Sequence, residues 1–221
     1  FDSYWAVPYG EKTAMNGEWR TGPGISLVGV LRDWFHDTRF IAEDLGYLTP
    51  SVMQLVADSG FPGMKVLEFA FDSREPSNYL PHTYTPNCVC YVGTHDNETA
   101  MQWYKKISRD DARFARRYLG LNSREGVNWG LIRGGMSSVA ELFVAQMSDF
   151  LGLGAEARIN EPGTPTGNWR WGRPGQGRRA AARPAHRRAV REDIRVYPHV
   201  RPAQPAVPSA RCAGKGQGAQ V

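Results

Sequence analysis

The sequence predicts an α/β fold in which parallel strands are covered by helices, as in α/β barrels. Three observations predict it. Strand-like, loop and helix-like stretches alternate along residues 1–171. The strand-like runs "RFIAEDLG", "MKVLEFAF" and "CVCYVG" are too apolar to leave one face in water, which suits parallel strands under helices. Each run also ends in polar residues, first Glu43, then Asp72, then His95 and Asp96. Barrels of this kind build their active sites at that end of the strands.

Residues 1–24 are rich in aromatics, Gly and Pro without a clean period, and predict a long structured loop. Ile25, Val28, Leu31 and Phe35 then recur at helical spacing. The segment "RFIAEDLG" predicts a short strand ending at Glu43. Thr49 is placed to cap the next helix, with Pro50 at its first position, Val52, Leu55 and Val56 on its buried stripe and Gly60 at its end. "MKVLEFAF" (64–71) predicts a strand with Asp72 at its mouth. A turn-rich connection leads to "CVCYVG", a further buried strand. Helices are expected at about 99–118 and about 124–151, and the segment through Trp171 supplies a last short element.

Charge is divided unevenly. Residues 1–171 carry 16 Lys+Arg against 20 Asp+Glu, and residues 172–221 carry 11 against 2, so the net +5 comes entirely from the tail. All seven Trp and all nine Phe lie before residue 172, so only that part can build a sizeable core. The basic balance is therefore no argument for a nucleic-acid partner. Cys88 and Cys90 share one face of a strand, which is poor disulfide geometry, and no Cys/His set has zinc spacing. Two buried free thiols are expected, with no metal and no cofactor. No stretch approaches the ~20 apolar residues of a membrane span, and no basic-then-apolar leader opens the chain. A soluble, cytoplasmic protein without a membrane partner is the expectation.

Carboxylates from different strand ends are the minimum equipment for glycosidic bond chemistry. One protonates the leaving oxygen while another forms or steadies an oxocarbenium-like centre. Glu43 and Asp96 suit these roles, with His95 beside them to hydrogen-bond a sugar hydroxyl. Acids at strand ends also cap helices or pair with Arg, so position alone leaves both roles open. Asp44 is expected to support structure rather than catalysis.

Six segments then carry a specific resemblance: "FDSYWAVPYGEKTAMNGEW", "IAEDLGYLTPSV", "GFPGMKVLEFAFD", "YLPHTY", "VGTHDNET" and "RINEPGTPTGNWRW". In this order they resemble the second half of the 4-α-glucanotransferases (amylomaltases, or disproportionating enzymes) of glycoside hydrolase family 77. The resemblance covers Phe1 to Trp171. It implies the C-terminal half of a (β/α)8 barrel and a retaining transfer of α-1,4-glucan segments between maltooligosaccharides. It places the general acid/base on Glu43 and a third carboxylate, gripping the donor sugar, on Asp96. His95 matches a sugar-binding His, and Asp72 and Asn160 match positions lining the sugar subsites. The apolar run before Glu43 fits a partly desolvated acid that keeps its proton near neutrality.

Two departures qualify that resemblance. The family's nucleophile is an Asp in an Arg-Ile-Asp-His segment just upstream of the Phe-x-x-Tyr-Trp motif, and this chain begins at that Phe; Asp2 belongs to the later motif. A whole barrel typically needs about 250 residues. A fragment of a longer enzyme is therefore expected, inactive by itself. A carbohydrate-binding or inactive half-barrel and an α-glucan hydrolase are the alternatives. The tail 172–221 departs too: Arg, Ala, Pro and Gly make up 32 of its 50 residues, all encodable with G and C alone. An out-of-frame reading of GC-rich DNA gives such a composition, and a disordered basic arm is the rival account.

Overall fold

A computed structural model describes residues 1–170 except Asp37 and Tyr47. The expectations for the tail and for the boundary at Trp171 lie outside the described residues.

The first departure from expectation is at the start. Ser3–Ala6 (β1) and Glu18–Thr21 (β2) form an antiparallel hairpin, where a loop was expected. Trp5 sits opposite Trp19, their rings edge to face at 5.4 Å. The Trp5 indole N–H donates to the Ala14 carbonyl at 2.9 Å. Gly17 is required beneath that ring, because a Cβ there would lie 2.2 Å from Trp5 Nε1. Each strand is four residues long and neither face is buried, so the sequence shows no inside–outside alternation.

Helix α1 (Ile25–Trp34) forms as expected, although only Val28 is fully buried. The strand expected to end at Glu43 does not form. Ala42 N–H donates to the Pro62 carbonyl at 2.9 Å, but the next bond runs from Met64 N–H to the Asp44 side chain at 2.6 Å. One backbone bond does not make a ladder. Asp44 instead replaces a strand carbonyl, and Gly63 leaves it room, since a Cβ there would meet Asp44 Oδ2 at 2.5 Å. This is the structural role expected of Asp44. Asp44→Ala should orphan the Met64 N–H and cost about 1–3 kcal/mol in urea unfolding; an unchanged midpoint would show that the bond is dispensable.

Helix α2 (Pro50–Ser59) has the expected ends. Thr49 Oγ1 accepts from the Val52 N–H at 3.3 Å, and Gly60 closes the helix in the left-handed region with φ 60°. Strand β3 is only Gly63–Val66, shorter than the run 64–71. At Leu67 the chain turns into one 3-10 turn, burying Leu67, Ala70 and Phe71. An apolar run satisfies strand and turn equally, so the pattern could not separate them.

Strand β4 (Cys88–Tyr91) lies in the middle of a three-stranded parallel sheet, between β3 and β5 (Leu142–Val144). Both expected long helices are divided. The first becomes α3 (Ala100–Lys106) and α4 (Arg109–Leu119), because Ser108 accepts from the Asp111 N–H at 3.1 Å and starts a new helix. The second becomes α5 (Val127–Met136), β5 and α6 (Met147–Phe150). Gly135 lets α5 press onto the sheet: a Cβ would lie 2.3 Å from the Phe143 ring.

The core lies between the sheet and α3–α5. It holds Leu67, Phe71, Cys88, Cys90, Val92, Trp103, Leu131 and Ile132. Cys88 and Cys90 are buried, free thiols, as expected, and burial pushes the Cys90 thiol up to about 11. The observed class is α/β with parallel strands under helices, without barrel closure among the described residues.

Candidate functional site

The strands β3, β4 and β5 run parallel, so their C-terminal ends open on one side. A cleft of about 420 Å³ lies there, lined by Glu43, Leu45, Met64, Tyr91, His95, Asp96, Gln146 and Ile159 among others. Glu43, His95 and Asp96 are therefore brought together from separate stretches of the chain. A larger cavity, about 650 Å³, opens at the opposite strand ends between Phe35, Phe61, Asn87 and Glu141. It gathers Arg32, His36 and Arg39 with one carboxylate, not the paired acids that glycosyl chemistry needs.

The loop after β4 is built by its own side chains. Asn97 Oδ1 accepts from both the Thr94 N–H (2.9 Å) and the Thr94 hydroxyl (2.7 Å). Asp96 N–H donates to Thr94 Oγ1 at 3.3 Å. This tight turn holds His95 and Asp96 outward, their side chains 56% and 49% exposed, with His95 Nε2 3.3 Å from Asp96 Oδ1. Asn160 Nδ2 donates to Asp96 Oδ1, so a fourth sequence candidate also reaches this cluster. Arg158 ties the two segments: it donates to the carbonyls of Asp96 and Asn160, each at 2.9 Å.

Asp72 is placed elsewhere. It does not line the cleft, and it takes up Arg74 through Nε at 2.8 Å and Nη2 at 2.7 Å. The Arg74 side chain and backbone bonds hold the Asp72 carboxyl down at about 2. Glu43 lines the cleft but is exposed, so the desolvation expected from the apolar run before it is not found among the described residues. That run has no ladder partner to bury it. Asp2 is likewise occupied away from the cleft, accepting from the Ser51 hydroxyl at 3.0 Å.

Sequence reasoning missed two neighbours. Gln146 Nε2 donates to the Thr94 carbonyl at 2.7 Å and lines the cleft. It stands just past β5, and recognising "LFV" as a strand would have put it at a strand mouth. Trp169 stacks on His95 with ring centres 5.2 Å apart, its backbone in the left-handed region at φ 59° and its N–H bonded to the Ile159 carbonyl at 2.8 Å. No local pattern foretells that return of the chain. Among the described residues no group of three or more His, Cys, Asp or Glu is placed to hold a metal ion, and no helix is long and apolar enough to cross a membrane.

The arrangement offers two carboxyl groups lining one cleft, with an imidazole, amides and an indole alongside. Such a set can donate a proton to a leaving oxygen and hydrogen-bond vicinal hydroxyls. Known proteins share the framework. A 4-alpha-glucanotransferase of Clostridium butyricum is 49% identical over 172 residues, 77% of this chain and 35% of that protein. The Thermus thermophilus 4-alpha-glucanotransferase is 44% identical over 178 residues, 77% of this chain and 36% of its own length. An amylomaltase from Streptococcus agalactiae, solved in complex with acarbose, superposes with a TM-score of 0.72 at 34% identity, covering 77% of this chain and 35% of that one. The chain thus spans about a third of the length of the relatives it matches. With residues 1–174 matching the model of glycoside hydrolase family 77, described as 4-alpha-glucanotransferase, the chain belongs to that family.

Proposed function

We propose that residues 1–171 are the acid/base-bearing, C-terminal part of a (β/α)8-barrel 4-α-glucanotransferase, which moves α-1,4-glucan segments between maltooligosaccharides by retaining double displacement. The observation that carries this is the convergence of Glu43, His95 and Asp96 on one cleft, with Asn160 bonded to Asp96. In this reading Glu43 protonates the glycosidic oxygen and then takes a proton from the acceptor hydroxyl. Asp96 and His95 hold hydroxyls of the donor sugar, most tightly as charge develops at the anomeric carbon. Asp72 lines a neighbouring sugar subsite once Arg74 swings away. The covalent intermediate forms on an Asp supplied by another segment of the enzyme. The exposed Leu142, Val144 and Ile41 fit an apolar face that further barrel strands would cover. We place the enzyme in the cytoplasm, with the buried, unbridged Cys88 and Cys90 as support.

A second reading, a carbohydrate-binding body without turnover, is favoured for these 221 residues alone, because no Asp among them matches the family nucleophile. One experiment separates the readings. The chain is assayed with maltotriose alone and then joined to the preceding part of the Clostridium butyricum relative. The expected result is no glucose from the chain alone. In the joined protein, glucose should be released at constant total reducing ends, the signature of transfer. Growing reducing ends would mean hydrolysis. No turnover from a folded chimera that binds acarbose would favour the binding-only reading.

A further inference from the structure

Beneath the cleft lie two acids that neither the sequence nor the proposed chemistry uses. Glu68, in the 3-10 turn after β3, is 8% exposed, and Asp149, in α6, is wholly buried. Glu68 Oε1 and Asp149 Oδ2 have no hydrogen-bond partner. Among the described residues neither acid forms an ion pair. Lys106 Nζ lies 2.6 Å and Arg158 Nη1 3.8 Å from Glu98 Oε1, so both of these cations are paired with Glu98. A buried, unpaired carboxylate costs several kcal/mol unless it takes up a proton.

Their placement gives the pair a role. Glu68 packs against Gly93, where a Cβ would lie 2.9 Å from its carboxyl carbon, and its N–H donates to the Val92 carbonyl at 3.1 Å. Asp149 Oδ1 accepts from the Ala100 N–H at 2.8 Å, at the start of α3. Asn128, from α5, donates in turn to the Asp149 carbonyl at 2.9 Å. One acid therefore stands at the entry of the segment 93–100 and the other at its exit, and that segment carries His95 and Asp96.

We propose that Glu68 carries a proton at neutral pH while Asp149, bonded to the Ala100 N–H, does not, and that the two buried acids are a positioning device that pins both ends of the 93–100 segment. The charges facing Glu68 agree: Asp149 from α6 and Glu98 from the segment itself are repulsive, and Arg158 alone is attractive. Asp149 faces the backbone N–H of Ala100 rather than a cation. Burial first, then the charges of Asp149 and Glu98, push Glu68 well up, and burial raises Asp149 to about 6. The significance of the segment for sugar binding rests on the proposed function. The protonation of Glu68 does not, and the readouts below need no sugar.

Both acids are raised in the fold, so their contribution to stability is full at pH values below the unfolded value. It is lost as pH rises through the folded one. Asp72, held at about 2 by Arg74, contributes on the acid side of that window and does not interfere.

The test uses the whole 221-residue chain. Infrared spectroscopy at pH 7 should show the C=O band of a protonated carboxylic acid in the wild type, absent in Glu68→Gln. The urea midpoint of the wild type should fall as pH rises from about 5 to about 8, and this slope should be reduced in Glu68→Gln, which mimics the protonated acid. The His95 ring signal in NMR should show a second inflection in the wild type that Glu68→Gln loses, which a purely structural role would not produce. A wild-type chain without the acid band overturns the proposal, and that measurement decides even if the variant fails to fold. A His95 signal titrating identically in both proteins overturns it as well.

Discussion

Glu43→Gln, in the protein joined to the preceding part of the Clostridium butyricum relative, is expected to lower kcat by about 10²–10⁴-fold while leaving maltooligosaccharide affinity within about twofold. The amide keeps the shape and a hydrogen-bonding oxygen at the cleft, but it can neither give nor recover a proton. The loss falls on kcat because the proton moves only in the transition state. Glu43 is exposed in the chain as described, so any desolvation that readies it for acid catalysis must come from the bound sugar or from further barrel strands. That adds a second expectation for the same chimera: a bell-shaped pH profile whose basic limb disappears in Glu43→Gln. A variant turning over at near-parental rate would remove Glu43 from the acid/base role and leave Asp96 as the next carboxylate in the cleft.

How far the molecule was legible in the sequence depended on whether the controlling interaction was local. Helix α2 was readable residue by residue, because Thr49, Pro50 and Gly60 act within one turn of themselves. Strand β4 was readable because its apolar run is bounded by turn residues and has no competing period. The division of the helix expected over 99–118 was also local in cause: Ser108 with Asp110 and Asp111 is a helix start, and it was overlooked. Strand β5 is different. Among the described residues its three residues pair only with β4, about fifty positions away, and nothing in "ELFVAQ" separates a short strand from a helix. The strand expected to end at Glu43 is missing for another reason: beside β3 the chain makes one backbone bond, from Ala42 N–H to the Pro62 carbonyl, before the Asp44 side chain takes the next N–H.

The site divides along the same line. Glu43, His95 and Asp96 were read at strand ends and again by motif resemblance, Asn160 by resemblance alone, and the structure gathers all four around one cleft. Family membership bears out the resemblance itself. Asp72 was named on the same grounds and is found bound to Arg74, two residues on, a pairing that adjacent sequence would have allowed one to foresee. Glu68 and Asp149 were invisible because a Glu within "VLEFAF" and an Asp within "MSDFLG" look like ordinary polar positions. Only the fold shows that both are buried and that each has a carboxyl oxygen without a hydrogen-bond partner.

Phe71→Ala is expected to be the most damaging single truncation in the core, costing about 3–5 kcal/mol. Phe71 is 2% exposed and stands where the chain leaves β3 for the long connection to β4. Its ring meets Trp103 of α3 at 6.0 Å, and Phe114 and Tyr118 of α4 at 5.7 and 5.9 Å. Three aromatic contacts of about 0.5–1.5 kcal/mol each are lost with it, in addition to the burial of the ring itself. These neighbours belong to two separate helices, so the cavity cannot close by the shift of one element, which places the cost towards the upper end of the range. Against a domain stability of about 5–15 kcal/mol, this is enough to leave a sizeable unfolded population at 37 °C. Trp19→Ala serves as the comparison: Trp19 is larger but 69% exposed on the hairpin, and its loss should cost less than about 1 kcal/mol. Urea unfolding of the 221-residue chain, followed by Trp fluorescence and far-UV circular dichroism, reads both. A Phe71→Ala cost below about 1 kcal/mol, or a Trp19→Ala cost above it, would mean that the hairpin and not the helix–sheet contact organises the fold.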